Sequence, residues 1–172
     1  MSLQTAVQQQ LAFWHGALDP IIGDCDSEVL NKNLPDATIT SIASIYAHIA
    51  WAEDAIVNGM LQGKPPIYQS EGWEAKTGVP FPGMPPEIKP EWARALKMDA
   101  GKFKEYAKTV FAATEAYVGG VSESELGRKV PTPAGEQPVE WVLATLLGTH
   151  VPQHAGEIAA LKGVQGLKGL PF

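Results

Sequence analysis

Apolar residues recur at intervals of three and four along four long stretches of the chain, the spacing of one buried face of an α-helix. In the first stretch, for example, Leu3, Val7, Leu11, Trp14 and Leu18 fall on one side. The four stretches span residues 2–18, 40–61, 90–118 and 139–162. The pattern therefore predicts four helices, and it contains no alternation of the kind that indicates β-strands.

The residues at the ends of these stretches support the same boundaries. Asp19-Pro20 is a stop signal for the first helix, and Thr40 or Ser41 can cap the start of the second. Gly63 follows the second helix, and Pro90 suits the first turn of the third. A short helical turn is also expected at residues 26–30.

The connection between the second and third helices is unusually long. Residues 62–89 contain six prolines and four glycines, and we expect no regular element there. A long connection allows the next helix to run parallel to the last, whereas a short one forces an antiparallel pair. Residues 119–137 are a second predicted loop. The sequence thus predicts an all-α fold, a four-helix bundle with one long crossover, as a single domain over residues 1–172.

Composition and charge narrow the classes of function. The chain has 172 residues with 45% hydrophobic and 19% charged residues, which is typical of a globular domain. Its net charge of −6 argues against nucleic-acid binding. No apolar run is long enough to span a membrane, and the N-terminus lacks the features of a signal peptide. The single cysteine, Cys25, excludes a disulfide framework, so we expect a cytoplasmic protein.

Three histidines are the strongest chemical signal. His150 and His154 are four residues apart on the fourth predicted helix, which places them about 40° apart around its axis with Cβ atoms about 6 Å apart. His48 flanks the apolar stripe of the second helix and can meet this pair across the bundle. Three neutral imidazoles suit zinc, nickel, iron or cobalt. The alternative is three core histidines with hydrogen-bond partners, and Pro152 can kink the helix between two of them.

The same residues carry a resemblance to a known family. His48 followed by Ala52-Glu53, the run from Thr149 to Ile158, and the ending from Ala160 to Gly166 are similar to motifs of the DinB/YfiT-like superfamily. The resemblance implies a four-helix bundle in up-down-down-up order. It also implies a divalent metal held by the residues that match the family's ligands, His48, His150 and His154.

The resemblance also implies a class of activity. Characterised branches of the superfamily include thiol-dependent transferases and isomerases that use bacillithiol, mycothiol or glutathione. We therefore expect a metal-dependent enzyme of this type, acting on a small molecule, with zinc or nickel preferred and iron, manganese or cobalt as alternatives. Glu157 shares the face of the histidine pair and is the candidate for acid–base work or for orienting a ligand. The alternatives are a metal-dependent hydrolase with Glu157 as base, and a non-catalytic stress-related bundle with a structural metal.

Five other residues have weaker expectations. His15 is expected to be a surface or half-buried histidine, and Glu53, inside the apolar arc of its helix, to form a structural bond between helices. Cys25 is expected to be a small buried side chain without a catalytic role. Trp51 is a candidate wall of the site, and Trp73 is a candidate for a substrate pocket or a dimer interface.

The C-terminal tail leaves the oligomeric state open. Leu167, Leu170 and Phe172 make the tail apolar. One interpretation is a homodimer in which the tail is buried against the neighbour. The other is a tail that folds back on its own bundle.

Overall fold

The computed structural model describes residues 2–83 and 89–172, and most of them are helical. Pro85 and Pro86 of the predicted crossover loop lie outside this part of the chain. The α-helices are α1 (Leu3–Gly23), α2 (Ser27–Asn31), α3 (Ile42–Asp54), α4 (Ile67–Ser70), α5 (Trp73–Thr77), α6 (Pro90–Ala95), α7 (Ala100–Gly120), α8 (Glu123–Leu126), α9 (Val139–Trp141) and α10 (Gly148–Val164). Two π-helical segments, Ala55–Leu61 and Val142–Leu147, and two strands, β1 (Lys129–Thr132) and β2 (Gly135–Pro138), complete the secondary structure.

The four long helices α1, α3, α7 and α10 correspond to the four predicted stretches. Helices α1 and α3 each pack against both α7 and α10. One cluster of buried apolar side chains joins all four helices, and a second joins α1 to the π-helical segments and β1. The predicted cap at Ser41 is confirmed, because its side chain accepts a hydrogen bond from the backbone N–H of Ser44.

The first helix does not stop at Asp19-Pro20 as predicted, and continues to Gly23 with Pro20 inside it. Ile21 is 0% exposed and Ile22 is also buried, so the last turn is stabilised by packing. The ammonium of Lys162, on α10, donates to the carbonyl oxygen of Ile21 at 2.8 Å. These tertiary contacts therefore outweigh the cost of a proline inside the helix.

The crossover contains two short helices where the sequence predicts none. Its prolines lie outside the stretch from Ile67 to Val79, which is free to form α4 and α5. The carboxylate of Asp54 accepts hydrogen bonds from the backbone N–H groups of Ile67 and Tyr68, which start α4. Gly72 precedes α5 with a φ of 66°, a left-handed conformation that favours glycine.

Two further elements also differ from the prediction. The third predicted helix is divided into α6 and α7, because the side chain of Asp99 accepts from the N–H groups of Gly101 and Lys102 and so begins a new helix. Residues 119–137 are not a simple loop: they hold α8 and most of an antiparallel hairpin, in which Val130 pairs with Gln137. The prediction of a loop is therefore wrong for this small sheet, in which Val130, 2% exposed, packs into the core; the fold as a whole is mostly helical, as expected.

The C-terminal tail folds back on its own chain, which is the second of the two interpretations above. Leu170 packs against the core cluster of the four long helices. The ring of Phe172 lies 5.8 Å from that of Phe13 and 6.2 Å from that of Trp14, on α1. The apolar tail therefore packs against a surface of its own chain.

One histidine and two glutamates join α1, α3 and α7. The ring nitrogens of His15 contact Glu53 Oε2 at 3.2 Å and Glu115 Oε1 at 2.7 Å. His15 is 7% exposed and stacks on Phe111 at 4.1 Å, so the expectation of a surface or half-buried residue is wrong. The predicted structural role of Glu53 is confirmed, since its carboxylate, 1% exposed, is bonded to a different helix.

We expect this group to make stability depend on pH. Burial alone would lower the pKa of His15, but hydrogen bonds and charges from Glu53 and Glu115 outweigh it and raise the pKa above 6.5. A raised folded-state pKa contributes stability that is complete below pH 6.5 and is lost as the pH rises through the folded-state value. The variant His15→Gln should therefore lose about 3 kcal/mol of unfolding free energy at pH 6, and less at pH 9.

Denaturant unfolding of both proteins at several pH values measures this difference. Because the two proteins share all other titratable groups, the difference between their unfolding free energies removes the pH dependence that those groups cause. An equal loss at pH 6 and pH 9 would show that the imidazolium is not the stabilising form.

Candidate metal centre

Three histidines from two helices meet at one point. His48 comes from α3, and His150 and His154 come from successive turns of α10. Each offers a ring nitrogen, and these atoms lie within 4.8 Å of one another. The Nε2 atoms of His48 and His150 are 3.1 Å apart. In the part of the chain that the structure describes, no second group of three or more His, Cys, Asp or Glu residues brings one ligand atom from each residue this close to all the others.

Local structure explains why these side chains converge. The four-residue spacing places His150 and His154 over each other on α10, with ring centroids 4.5 Å apart. Small buried residues, Ala47 on α3 and Ala155 on α10, belong to the core cluster between the helices. A π-helical segment also follows α3 and precedes α10, and such segments are frequent at functional sites. The sequence did not predict these segments.

Two of the three ligand candidates, His48 and His150, are neutral at pH 7. Burial, followed by the charge of neighbouring His154, lowers the pKa of His48 to about 4. Burial and the charges of His48 and His154 lower the pKa of His150 to about 3. Metal binding requires deprotonated imidazole. The site is therefore in the protonation state that a metal needs, without releasing protons from these two groups.

The donor set fits a divalent ion. Zinc binds imidazole nitrogen at about 2.0–2.1 Å, so two nitrogens on one ion at angles of 90–110° are about 2.8–3.4 Å apart. The 3.1 Å between the Nε2 atoms of His48 and His150 falls in this range. Two neutral acceptor nitrogens at this distance would otherwise repel, unless one of them carries the proton and donates to the other.

Glu157 is placed to orient His154. Its Oε2 lies 2.6 Å from Nδ1 of His154. An Nδ1–H that donates to this carboxylate leaves Nε2 of the ring with its lone pair, as in many metal sites. Among the described residues, Nδ1 of His48 is buried and has no such partner.

The other residues singled out from the sequence lie outside this cluster. The ring of Trp51, 1% exposed, packs against Tyr68, Phe81 and Trp92, so it anchors the crossover to α3. Trp73 lies 5.8 Å from Tyr106 and below the ammonium of Lys76.

Cys25 is partly buried, and burial raises the pKa of its thiol to about 11, so the inert thiol form is present at neutral pH. It lines a cavity of about 930 Å³ with Asn31 and Met98. None of the three clustered histidines lines this cavity. This cavity therefore gives no support to the histidine cluster, which is the candidate site because of its donor chemistry and geometry.

Among the polar contacts that sequence reasoning missed, two lie close to the histidines. Glu115, on α7, is the second carboxylate that contacts His15. Gln10, on α1, donates to the carbonyl oxygen of Gly148, the first residue of α10. Neither contact could be predicted from a local motif, because each side chain contacts a residue about 100 or more positions away. Paired apolar faces predict which helices pack, but they do not predict which polar side chains meet.

Comparison with known proteins identifies the family and the fold. The sequence family described as the DinB superfamily matches residues 10–158. A crystal structure described as the conserved protein of locus from Enterococcus faecalis is similar in fold, with a TM-score of 0.80 and 17% sequence identity. That similarity covers 94% of this chain and 95% of the other. The search of curated proteins gives no match. Within the described residues, none of the helices is both long and apolar enough to cross a membrane.

Proposed function

Since the chain belongs to the DinB superfamily, we propose that it is a metal-dependent enzyme whose divalent ion is held by His48, His150 and His154. The observation that carries this proposal is the convergence of three ring nitrogens within 4.8 Å. Three imidazoles leave coordination positions open for water or a substrate, which is typical of catalytic sites rather than closed structural ones. Zinc or nickel is the proposed ion, with iron, manganese or cobalt as alternatives.

The proposed reaction class is thiol-dependent transfer or isomerisation of a small molecule. When bound, a divalent ion supplies Lewis acidity that lowers the pKa of a coordinated thiol, so that the thiolate nucleophile forms at neutral pH. His48 and His150 are neutral ligands that present lone pairs at the same pH. Glu157 accepts a hydrogen bond from Nδ1 of His154 and fixes its tautomer. The exposed side of the site is formed by His154 and Glu157, with side-chain exposures of 20% and 46%, and a substrate would enter there.

Hydrolysis is a weaker proposal for this site. A hydrolase needs a base that is free to take a proton from water. Glu157 is the acidic candidate, but its Oε2 lies 2.6 Å from His154 Nδ1. This contact favours Glu157 as a positioning residue over Glu157 as a base.

We also propose the up-down-down-up order for the four long helices. Helices α1 and α7 make contacts in reverse order along their lengths, and α1 and α10 make theirs in the same order. The supporting pairs are Gln4 with Val118, Asp19 with Lys104, Gln10 with Gly148, and Ile21 with Lys162. A homodimer and a cytoplasmic location stay predictions from the sequence.

Elemental analysis of tag-free protein tests the metal centre first. We expect about one divalent ion per chain in the wild type after incubation with zinc or nickel, and none in the double variant His150→Ala/His154→Ala. Absence of metal from the wild type under every condition would contradict the proposed function.

Ligand titrations of the loaded protein then separate the reaction classes. Tight binding of small thiols, detected through the visible spectrum of the cobalt-substituted protein, supports the transferase class. Metal-dependent turnover of esters or amides without thiol binding supports a hydrolase. A metal that only raises the melting temperature and exchanges slowly indicates a structural role.

A further inference from the structure

Proline stands between the two histidines on α10. Helix α10 runs from Gly148 to Val164 and includes Pro152, midway between His150 and His154. In an α-helix the N–H of residue 152 would donate to the carbonyl oxygen of residue 148. Proline has no N–H, and its ring also crowds that carbonyl. The carbonyl of Gly148 therefore needs a donor from elsewhere, since a buried carbonyl without a partner is costly.

The donor comes from another helix. Nε2 of Gln10, on α1, lies 2.6 Å from the carbonyl oxygen of Gly148. Gly148 is buried, and the space beside it is tight: a Cβ at this position would stand 3.3 Å from the carbonyl oxygen of Leu143 and 3.4 Å from Oε1 of Gln10. The absence of a side chain at position 148 thus allows the amide of Gln10 to approach the backbone.

This hydrogen bond lies at the start of the turn that carries a metal ligand. Gly148 is two residues before His150, and it joins the π-helical segment Val142–Leu147 to α10. Both the π-helical geometry before it and the missing hydrogen bond after it loosen the backbone at this point. We propose that Gln10 is a positioning residue of the metal centre, which replaces the hydrogen bond that Pro152 cannot make and so fixes the direction of His150. This inference rests on the proposed function, because it requires that His150 binds a metal.

Metal affinity and a spectroscopic signature test the role of Gln10. The variant Gln10→Ala should bind Zn²⁺ and Co²⁺ roughly tenfold more weakly than wild type in competition with a chromophoric chelator, the loss typical when a group that orients a ligand is removed. The visible spectrum of the Co²⁺-loaded variant should also change, because it reports ligand geometry and not stability. Gln9→Ala, at the exposed neighbouring position, is the matched control and should match wild type in both measurements.

A second substitution separates positioning from a general loss of stability. Pro152→Ala restores the backbone N–H that can donate to Gly148, so Gln10 becomes less important in that background. We expect Gln10→Ala to weaken metal binding less in the Pro152→Ala protein than in the wild type. Equal effects in both backgrounds would overturn the link to Pro152.

The outcomes distinguish this inference from the proposed function. If the wild type binds metal and Gln10→Ala binds it equally well with an unchanged Co²⁺ spectrum, the role of Gln10 is overturned and the metal centre stands. If the wild type binds neither Zn²⁺ nor Co²⁺, the proposed function is overturned and this inference with it.

Discussion

Replacing His48 with alanine is expected to lower the affinity for a divalent ion by more than about 100-fold, beyond the 10–100-fold typical of a group that only orients a ligand. His48 is the ligand that we propose for α3, and its Nε2 is 3.1 Å from that of His150. Without His48, only the two imidazoles of α10 remain to bind the ion. At a zinc concentration 1,000 times the wild-type Kd, the same substitution should therefore reduce the stabilisation by zinc from about 4.1 kcal/mol to about 1.4 kcal/mol or less.

Competition titration and thermal unfolding with and without zinc measure these two effects. His15→Gln also removes one histidine, from a position outside the cluster, and it should keep the wild-type affinity for the metal. If His48→Ala binds zinc as tightly as wild type, the ion is held by other groups, and the three-histidine site is wrong.

Replacing Asp54 with alanine is expected to destabilise the protein by about 3–5 kcal/mol, the largest effect on folding that we predict. Asp54 is 1% exposed at the end of α3. Its carboxylate accepts hydrogen bonds from the backbone N–H groups of Ile67 and Tyr68 and, at 2.9 Å, from the hydroxyl of Tyr106. Alanine would leave these buried donors without an acceptor and would release the crossover from both α3 and α7.

Denaturant unfolding at pH 7 measures this loss by linear extrapolation. Asp19→Ala is a matched control, since Asp19 pairs with Lys104 at 3.0 Å on the surface and 45% of its side chain is exposed. The control should change the unfolding free energy by less than about 1 kcal/mol. A loss of similar size in both variants would contradict the structural role of Asp54.

The direction in which each histidine's pKa shifts depends on the groups that surround it in the fold. His15 is buried between two carboxylates, which raise its pKa, whereas His48 and His150 are buried beside other imidazoles, and their pKa values fall to about 4 and 3. All four histidines are on helices that the sequence predicts. Only the packing of those helices decides which imidazole lies between carboxylates and which lie beside other imidazoles.

The sequence by itself determined the long helices and two of the three proposed metal ligands. Helix periodicity is a local property, so the faces of α1, α3, α7 and α10 could be predicted from spacing alone. The pair His150 and His154 is also local, because four residues make about one turn. His48 needed the further assumption that the second and fourth helices pack together, which the contacts between α3 and α10 confirm.

The tertiary structure decided everything that depends on contacts between distant residues. The continuation of α1 past Pro20 depends on burial and on Lys162, and the start of α4 depends on Asp54. The hydrogen bond from Gln10 to Gly148 joins residues 138 positions apart. Such pairs have no period and no fixed spacing, because a folded core brings together whichever polar groups its helices carry to the same place, and each buried group must find a partner there.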